Sequence, residues 1–216
     1  MSIQSALKNG LFVHQGLGRL QQVGIAFSPY YLVRENIDQV AVAKFRAQDI
    51  LPSGFSVLSL TSEPTHINLV SGLNNWATPE EVNRRLALGH KCIVLRNGEE
   101  TAGYTWADTT EVNDSMCTYD LRSDEAYLYD AFISDKFRGG GLASKMRLAS
   151  YAELYAHGIR QLVSVSDCFN SGSIKFKSRL GAQPEALFLN LRIAGKQIFN
   201  WRLKQYPPET TTWHPG

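Results

Sequence analysis

The sequence predicts an α/β (α+β) protein: a mixed, mostly antiparallel central sheet flanked by helices, with an N-terminal extension. Three observations carry this. Residues 92–95, 101–106 and 126–133 are apolar and aromatic runs of strand length. The first two are joined through Asn97-Gly98, a dipeptide suited to tight antiparallel turns. The third runs into Arg138-Gly139-Gly140-Gly141, after which Leu142, Met146, Ala149, Ala152 and Ala156 recur at helical spacing.

The elements follow in order. Residues 1–54, with scattered Gly10, Gly16, Gly18 and Gly24, Tyr30-Tyr31-Leu32-Val33 and a helical segment over 37–45, read as an extension. Pro52-Ser53-Gly54 is a turn, and 55–60 opens the main domain, 55–205, as a strand. Thr78-Pro79-Glu80-Glu81 combines an N-cap, a proline at the first helical position and a capping-box glutamate, and Gly89 closes that helix. The antiparallel pair comes next, then a polar loop over 108–123, strand 126–133, the glycine turn and its helix, which Gly158 stops. A strand at 161–165 follows, then a short helix from Asn170 to Gly181. Residues 186–193 and 197–203 make a hairpin about Gly195-Lys196, leaving 206–216 as a loose tail.

Composition bounds the function. A length of 216 residues suits one core with an appendage, and the net charge of +2 gives no argument for a nucleic acid or an anionic membrane as partner. Cys92, Cys117 and Cys168 are odd in number and lack paired spacing, so neither a disulfide framework nor a metal site is expected. With no apolar export signal over the first residues and no run of membrane-spanning length, the expected location is the cytoplasm.

The glycine turn carries the chemistry. Glycines ahead of a helix let an anion reach the unpaired N–H groups of its first turn, where the macrodipole also favours negative charge, and Arg138 adds a full positive charge. Two familiar phosphate loops do not fit: Ser144-Lys145-Met146 breaks the Walker pattern, and Ser144 stands where a dinucleotide fingerprint requires glycine. The motif present is Arg-X-X-Gly-X-Ala over 138–143, five residues beyond Ile133, and a second motif, Asn170-X-X-Ser173-X-X-Phe176-X-X-Arg179-X-Gly181-Ala182, lies further on. A tight ligand-free connection is the alternative reading of the glycines taken alone.

Together the two motifs resemble the GNAT (GCN5-related N-acetyltransferase) superfamily, with element order matching over 55–203. The resemblance implies acetyl-CoA, or another acyl-CoA, as cofactor. It assigns cofactor contacts to Phe132, Ile133, Ser134, Arg138, Gly139, Gly140, Gly141, Leu142, Ala143, Ser144, Asn170, Ser173 and Lys177, with an oxyanion held by a backbone N–H at a bulge within 132–134. Glu125, thirteen residues before Arg138, stands at a spacing where some members carry a catalytic base. An exposed loop-end acid is its other reading, with Tyr127, Tyr129 and Asp130 in reserve. Lys177 stands where the family commonly has an acidic tyrosine, and is read as a proton donor, a phosphate contact or a solvated lysine.

Trp76, Tyr104, Trp106 and Tyr129, with Tyr127, are candidates for the acceptor side, against core packing. His66, His90 and His157 show no partner spacing and receive no role. Cys168 has no histidine near it in sequence, so transfer is expected to be direct. The resulting expectation is acetyl transfer from acetyl-CoA to the primary amine of a small molecule or peptide, with no nucleic-acid or membrane partner and a homodimer left open. A non-catalytic acyl-CoA-binding or sensing module, and an enzyme using a longer acyl donor or an acyl carrier protein, are the alternatives.

Overall fold

The structure, a computed structural model, describes residues 24–37 and 51–207. The elements are β1 (Ile25–Asn36), β2 (Phe55–Ser59), α1 (Pro64–Val70), α2 (Pro79–Ala87), β3 (Lys91–Asn97), β4 (Glu100–Asp108), β5 (Glu111–Asn113), β6 (Thr118–Asp120), β7 (Glu125–Ile133), α3 (Leu142–Ala156), β8 (Gln161–Asp167), α4 (Ser171–Arg179), β9 (Gln183–Ile193) and β10 (Lys196–Gln205). They divide into two compact units. Among the described residues, one comprises 35–37, 51–112 and 119–164; the other comprises 24–34, 113–118 and 165–207. The limits between the units fall within β1 and β8.

In the first unit the strands run in the order β2-β3-β4-β7-β8. All pairs are antiparallel except β7 with β8, whose parallel pairing requires the crossover that α3 supplies. Strand alternation sends side chains to two cores. Cys92, Val94, Tyr104 and Trp106 pack with Ile67 and Val70 of α1 and Val82 of α2. Ala107, Ala126, Leu128 and Leu162 pack with Tyr151, Ala152 and Leu154 of α3. Val82 is the buried anchor of α2, and its burial contributes roughly 1.5–3 kcal/mol. Thr78 caps α2, its Oγ1 accepting from the Glu81 N–H at 3.2 Å, as the sequence requires.

A buried ionic cluster closes this unit. Arg147 donates to both carboxylate oxygens of Glu35, Tyr151 donates to the same carboxylate, and Ser164 Oγ donates to it at 3.1 Å. Arg147 and Tyr151, four apart on α3, thus face one acid at the end of β1.

The second unit contains the strand order β10-β9-β1. β1 pairs antiparallel with β9 over Ile25 to Arg34, so this part of 1–54 is a sheet strand rather than an appendage. Ile174 of α4 and Ala182 pack on Val33, and Asn170 Oδ1 caps α4 by accepting from the Ser173 N–H at 3.0 Å.

Several local expectations shift. The β3–β4 turn residues are Gly98-Glu99 and those of β9–β10 are Ala194-Gly195, each one position earlier or later than read, because register rather than dipeptide identity fixes the turn. Two short strands, β5 and β6, occupy the stretch read as a polar loop. α1 has no sequence signal of comparable strength. The helical segment read over 37–45 lies, from residue 38, outside the described residues, as do the early glycines before Gly24 and residues 208–216.

Candidate active site

Between β7 and α3 the chain turns through a short 3-10 segment, Asp135–Phe137, in which the Phe137 N–H donates to Ser134 O and the Arg138 N–H to Asp135 O. Phe137 fixes the turn by packing edge-on against Phe55, ring centroids 5.8 Å apart, and against the Leu142 and Met146 cluster. Beyond it, Gly139 (φ +92°) and Gly141 (φ +70°) take left-handed conformations that disfavour side chains. Five successive N–H groups, Gly139 through Ala143, make no backbone hydrogen bond among the described residues. They open the 15-residue α3, whose N-cap Gly141 has no side chain to satisfy them. Gly140 is required neither by its φ nor by any neighbour, since a Cβ there meets nothing within 4 Å. Arg138 is braced beside this row, Nε donating to Ile133 O at 3.1 Å and Nη1 lying 2.6 Å from Asp135.

The strand feeding the turn is open along one edge. β7 pairs with β8 at Glu125, Ala126 and Tyr127, and the pairing stops there while β7 runs on to Ile133. On its β4 side the register passes from Trp106↔Tyr129 to Tyr104↔Phe132, so Asp130 and Ala131 together oppose Thr105. This bulge lies ahead of the 132–134 stretch where the sequence reading set it. Asp130 carries it at φ +46°, held by Arg85 Nη1 at 2.6 Å. The extra residue flips the side-chain phase, so Tyr129 and Phe132 share the α1/α2 face. The Ser134 N–H is committed to Ala102 O at 2.9 Å, and by ladder alternation Ile133 turns its N–H to the open edge.

Other expected residues fall as follows. Glu125 is buried at the start of β7, accepting from the Arg122 N–H at 3.0 Å and paired with the Arg122 guanidinium. It lies about 17 Å along the strand from the bulge. Tyr127 is buried and stacks on Tyr129 at 5.3 Å. Tyr104 and Trp106 are core residues: Tyr104 accepts from Asn74 Nδ2 at 2.5 Å and stacks on Phe132, while Arg85 lies over the Trp106 ring. Of the four acceptor-side candidates, Trp76 is fully at the surface, 76% exposed, and Tyr129 is half-buried beside the bulge.

In the second unit, Lys177 is buried, its Nζ donating to Ser166 Oγ at 2.6 Å and Val165 O at 3.2 Å, and Ser173 Oγ lies 3.4 Å from Ser166 Oγ. Burial pushes the Cys168 thiol up to about 12, so it stays protonated.

One group that spacing did not reveal meets Tyr129. His90 Nδ1 lies 2.6 Å from Tyr129 Oη, and Nε2 lies 3.1 Å from Asp108 Oδ2. Burial, with Arg84 and Arg85, pulls the imidazole below its ordinary pKa against the opposing carboxylates of Asp108 and Glu111. Burial above all raises the Tyr129 phenol.

No protein-family model and no curated protein matches the chain. Solved structures do. A GCN5-related N-acetyltransferase-like protein from Streptococcus suis superposes with a TM-score of 0.56 at 14% identity, over 85% of this chain and 67% of that one. A GCN5-related N-acetyltransferase from Sphaerobacter thermophilus gives 0.54 at 13%, over 86% and 56%. The chain has the GNAT fold. A tandem GNAT protein from the clavulanic acid biosynthesis pathway, at 0.55 and 14% identity, is matched over 83% of this chain and 58% of its own. The chain therefore spans about two thirds or less of these GNAT structures. Within this chain the glycine turn and the bulged β7 stand in one unit, and the Asn170 helix in the other.

Proposed function

We propose that the protein is an acyl-CoA-dependent N-acyltransferase that moves an acetyl group from acetyl-CoA to a primary amine by direct attack. The observation that carries the reading is the row of five N–H groups, Gly139 to Ala143, that make no backbone hydrogen bond among the described residues, at the start of a long helix. Its geometry fits a diphosphate. The donors are consecutive, the dipole sign is favourable, Arg138 stands alongside, and Gly140 is bare for no reason internal to the chain. Gly139 to Ser144 and Arg138 would hold the diphosphate, and the bound group would supply an activated acyl thioester. The Ile133 N–H, turned to the open edge, is the donor available to a developing oxyanion. The protonated Cys168 thiol supports transfer without an acyl-enzyme.

The acceptor is a small-molecule or peptide amine. Among the described residues, no helix is long and apolar enough to cross a membrane.

One observation favours a non-catalytic acyl-CoA-binding module instead: Lys177, at the position of the usual acid, is bonded to Ser166 and Val165. Titration calorimetry with acetyl-CoA, followed by thiol release with a panel of amines, separates the two. The enzyme releases thiol in an amine-dependent way; the module binds and does not. Arg138→Ala is expected to weaken acetyl-CoA binding roughly tenfold or more, the cost of a charge-assisted contact. Unchanged affinity in that variant removes Arg138 from the site, and no binding by the wild type refutes the function.

A further inference from the structure

We propose that Asp108, His90 and Tyr129 form a proton relay, led by the residue directly ahead of the β7 bulge, that takes the proton from the acceptor amine. This rests on the acyl-transfer reading above and names the base for it. The sequence-based candidate, Glu125, is far along the strand and bound by the 122–125 turn. Tyr129 immediately precedes the bulge residue Asp130.

The hydrogen positions follow from the partners. Asp108 Oδ1 accepts from the Thr110 N–H at 2.7 Å, Thr110 Oγ1 at 2.6 Å and the Glu111 N–H at 3.3 Å, so three donors fix this side chain as an acceptor. Oδ2 therefore also accepts, and Nε2 of His90 carries the proton it receives. In a neutral imidazole Nδ1 is then bare, and the Tyr129 hydroxyl donates to it. The phenol oxygen keeps its lone pairs for a second donor. β-Sheet register brings the three together: Lys91 opposes Ala107, so His90 continues the ladder opposite Asp108, while Trp106 opposes Tyr129. The His90 N–H donates to Arg85 O at 3.0 Å, tying the residue to the end of α2.

The step balances. An ammonium N–H gives its proton to Tyr129 Oη as the phenol proton passes to His90 Nδ1, leaving an imidazolium paired with Asp108. The freed nitrogen forms the C–N bond as the thioester C–S bond breaks, its second proton leaves with the thiolate, and the relay proton returns to solvent. The charged and titratable groups facing His90 are Asp108 and Glu111, Arg84 and Arg85 of α2, and Tyr129. Burial, with Arg84 and Arg85, outweighs the two carboxylates and favours the neutral imidazole, whose bare Nδ1 is the atom that takes the proton.

Two measurements test this. Imidazole 15N NMR on the wild-type chain should show His90 as the Nε2–H tautomer, titrating below the ordinary histidine range and lower still in Asp108→Asn. An Nδ1–H tautomer overturns the relay. His90→Gln and Tyr129→Phe should lower kcat/KM with an amine by about 100-fold or more and abolish the acidic limb of the pH profile, while acetyl-CoA affinity stays within twofold. Binding with an unchanged rate and pH profile in His90→Gln overturns the relay alone. Absence of acetyl-CoA binding in the wild type overturns the acyltransferase reading, and the relay's role with it.

Discussion

Replacing Gly103 by alanine tests the strand geometry on which the open edge depends. Gly103 of β4 faces Ile133 of β7, and a Cβ added there falls well inside 3.0 Å of Phe132 O and 2.6 Å from Ile133 Cδ1. The first of these is backbone and cannot swing away, so β4 and β7 must separate by roughly half an ångström or more to reach normal contact. The neighbouring bond from the Ser134 N–H to Ala102 O, now 2.9 Å, would stretch to the limit of a useful hydrogen bond. Overpacking of this kind costs about 1–3 kcal/mol, and each weakened ladder bond about 1 more. Gly103→Ala is thus expected to lose about 2–4 kcal/mol, a fall in Tm on the order of 5–15 °C for a chain of this size. Thermal unfolding by circular dichroism measures it. Because Ile133 moves with β7, acetyl-CoA affinity should drop in the same variant at a temperature where it is folded. A Tm within a degree of wild type would refute the reasoning, since it would mean that the two strands absorb the methyl without separating.

Other expectations follow from single residues. Ala194 sits at φ +49° in the β9–β10 turn, so Ala194→Asn, which tolerates that region, should raise Tm by a few degrees for a gain of about 1 kcal/mol; an unchanged or lower Tm argues against strain there. Glu35→Gln leaves Arg147 buried without its counter-charge and should cost about 3–5 kcal/mol, read as a lower urea midpoint at unchanged slope; a loss under 1 kcal/mol would show the pair to be dispensable. The His90 pKa is lowered on folding, so below the unfolded value of about 6.5 the unfolded chain binds more protons and stability falls as pH drops through that value toward the folded pKa. Urea unfolding from pH 7.5 to 5.5 should show a shallower fall in His90→Gln than in wild type, and parallel curves would contradict a depressed pKa.

Features encoded within a few residues were legible in the sequence. The Thr78 cap, the 126–133 strand, the α3 periodicity with its Gly158 stop and the Asn170 cap each depend on local hydrogen bonds or local φ, which residue type alone constrains. The row of free N–H groups belongs to the same class, because three glycines ahead of a helix leave its first donors uncapped.

Side-chain convergence was not legible. His90 looked solitary because its partners lie 18 and 39 positions away, and Tyr104 and Trp106 stayed open between pocket wall and core because alternation tells which face a residue shares but not whether a helix covers it. The bulge at Asp130 resets the register by one residue and so decides which side chains share a face with Tyr129.

By itself, then, the sequence determined the capped helices and the glycine turn with the helix it opens, since dihedral preference and capping act over a span of about four residues. Only the tertiary structure decided that Glu35 meets Arg147 across 112 positions and that Asp108, His90 and Tyr129 fall in line. Those meetings depend on inter-strand register and on what packs over each face, and neither is a property of any short stretch of chain.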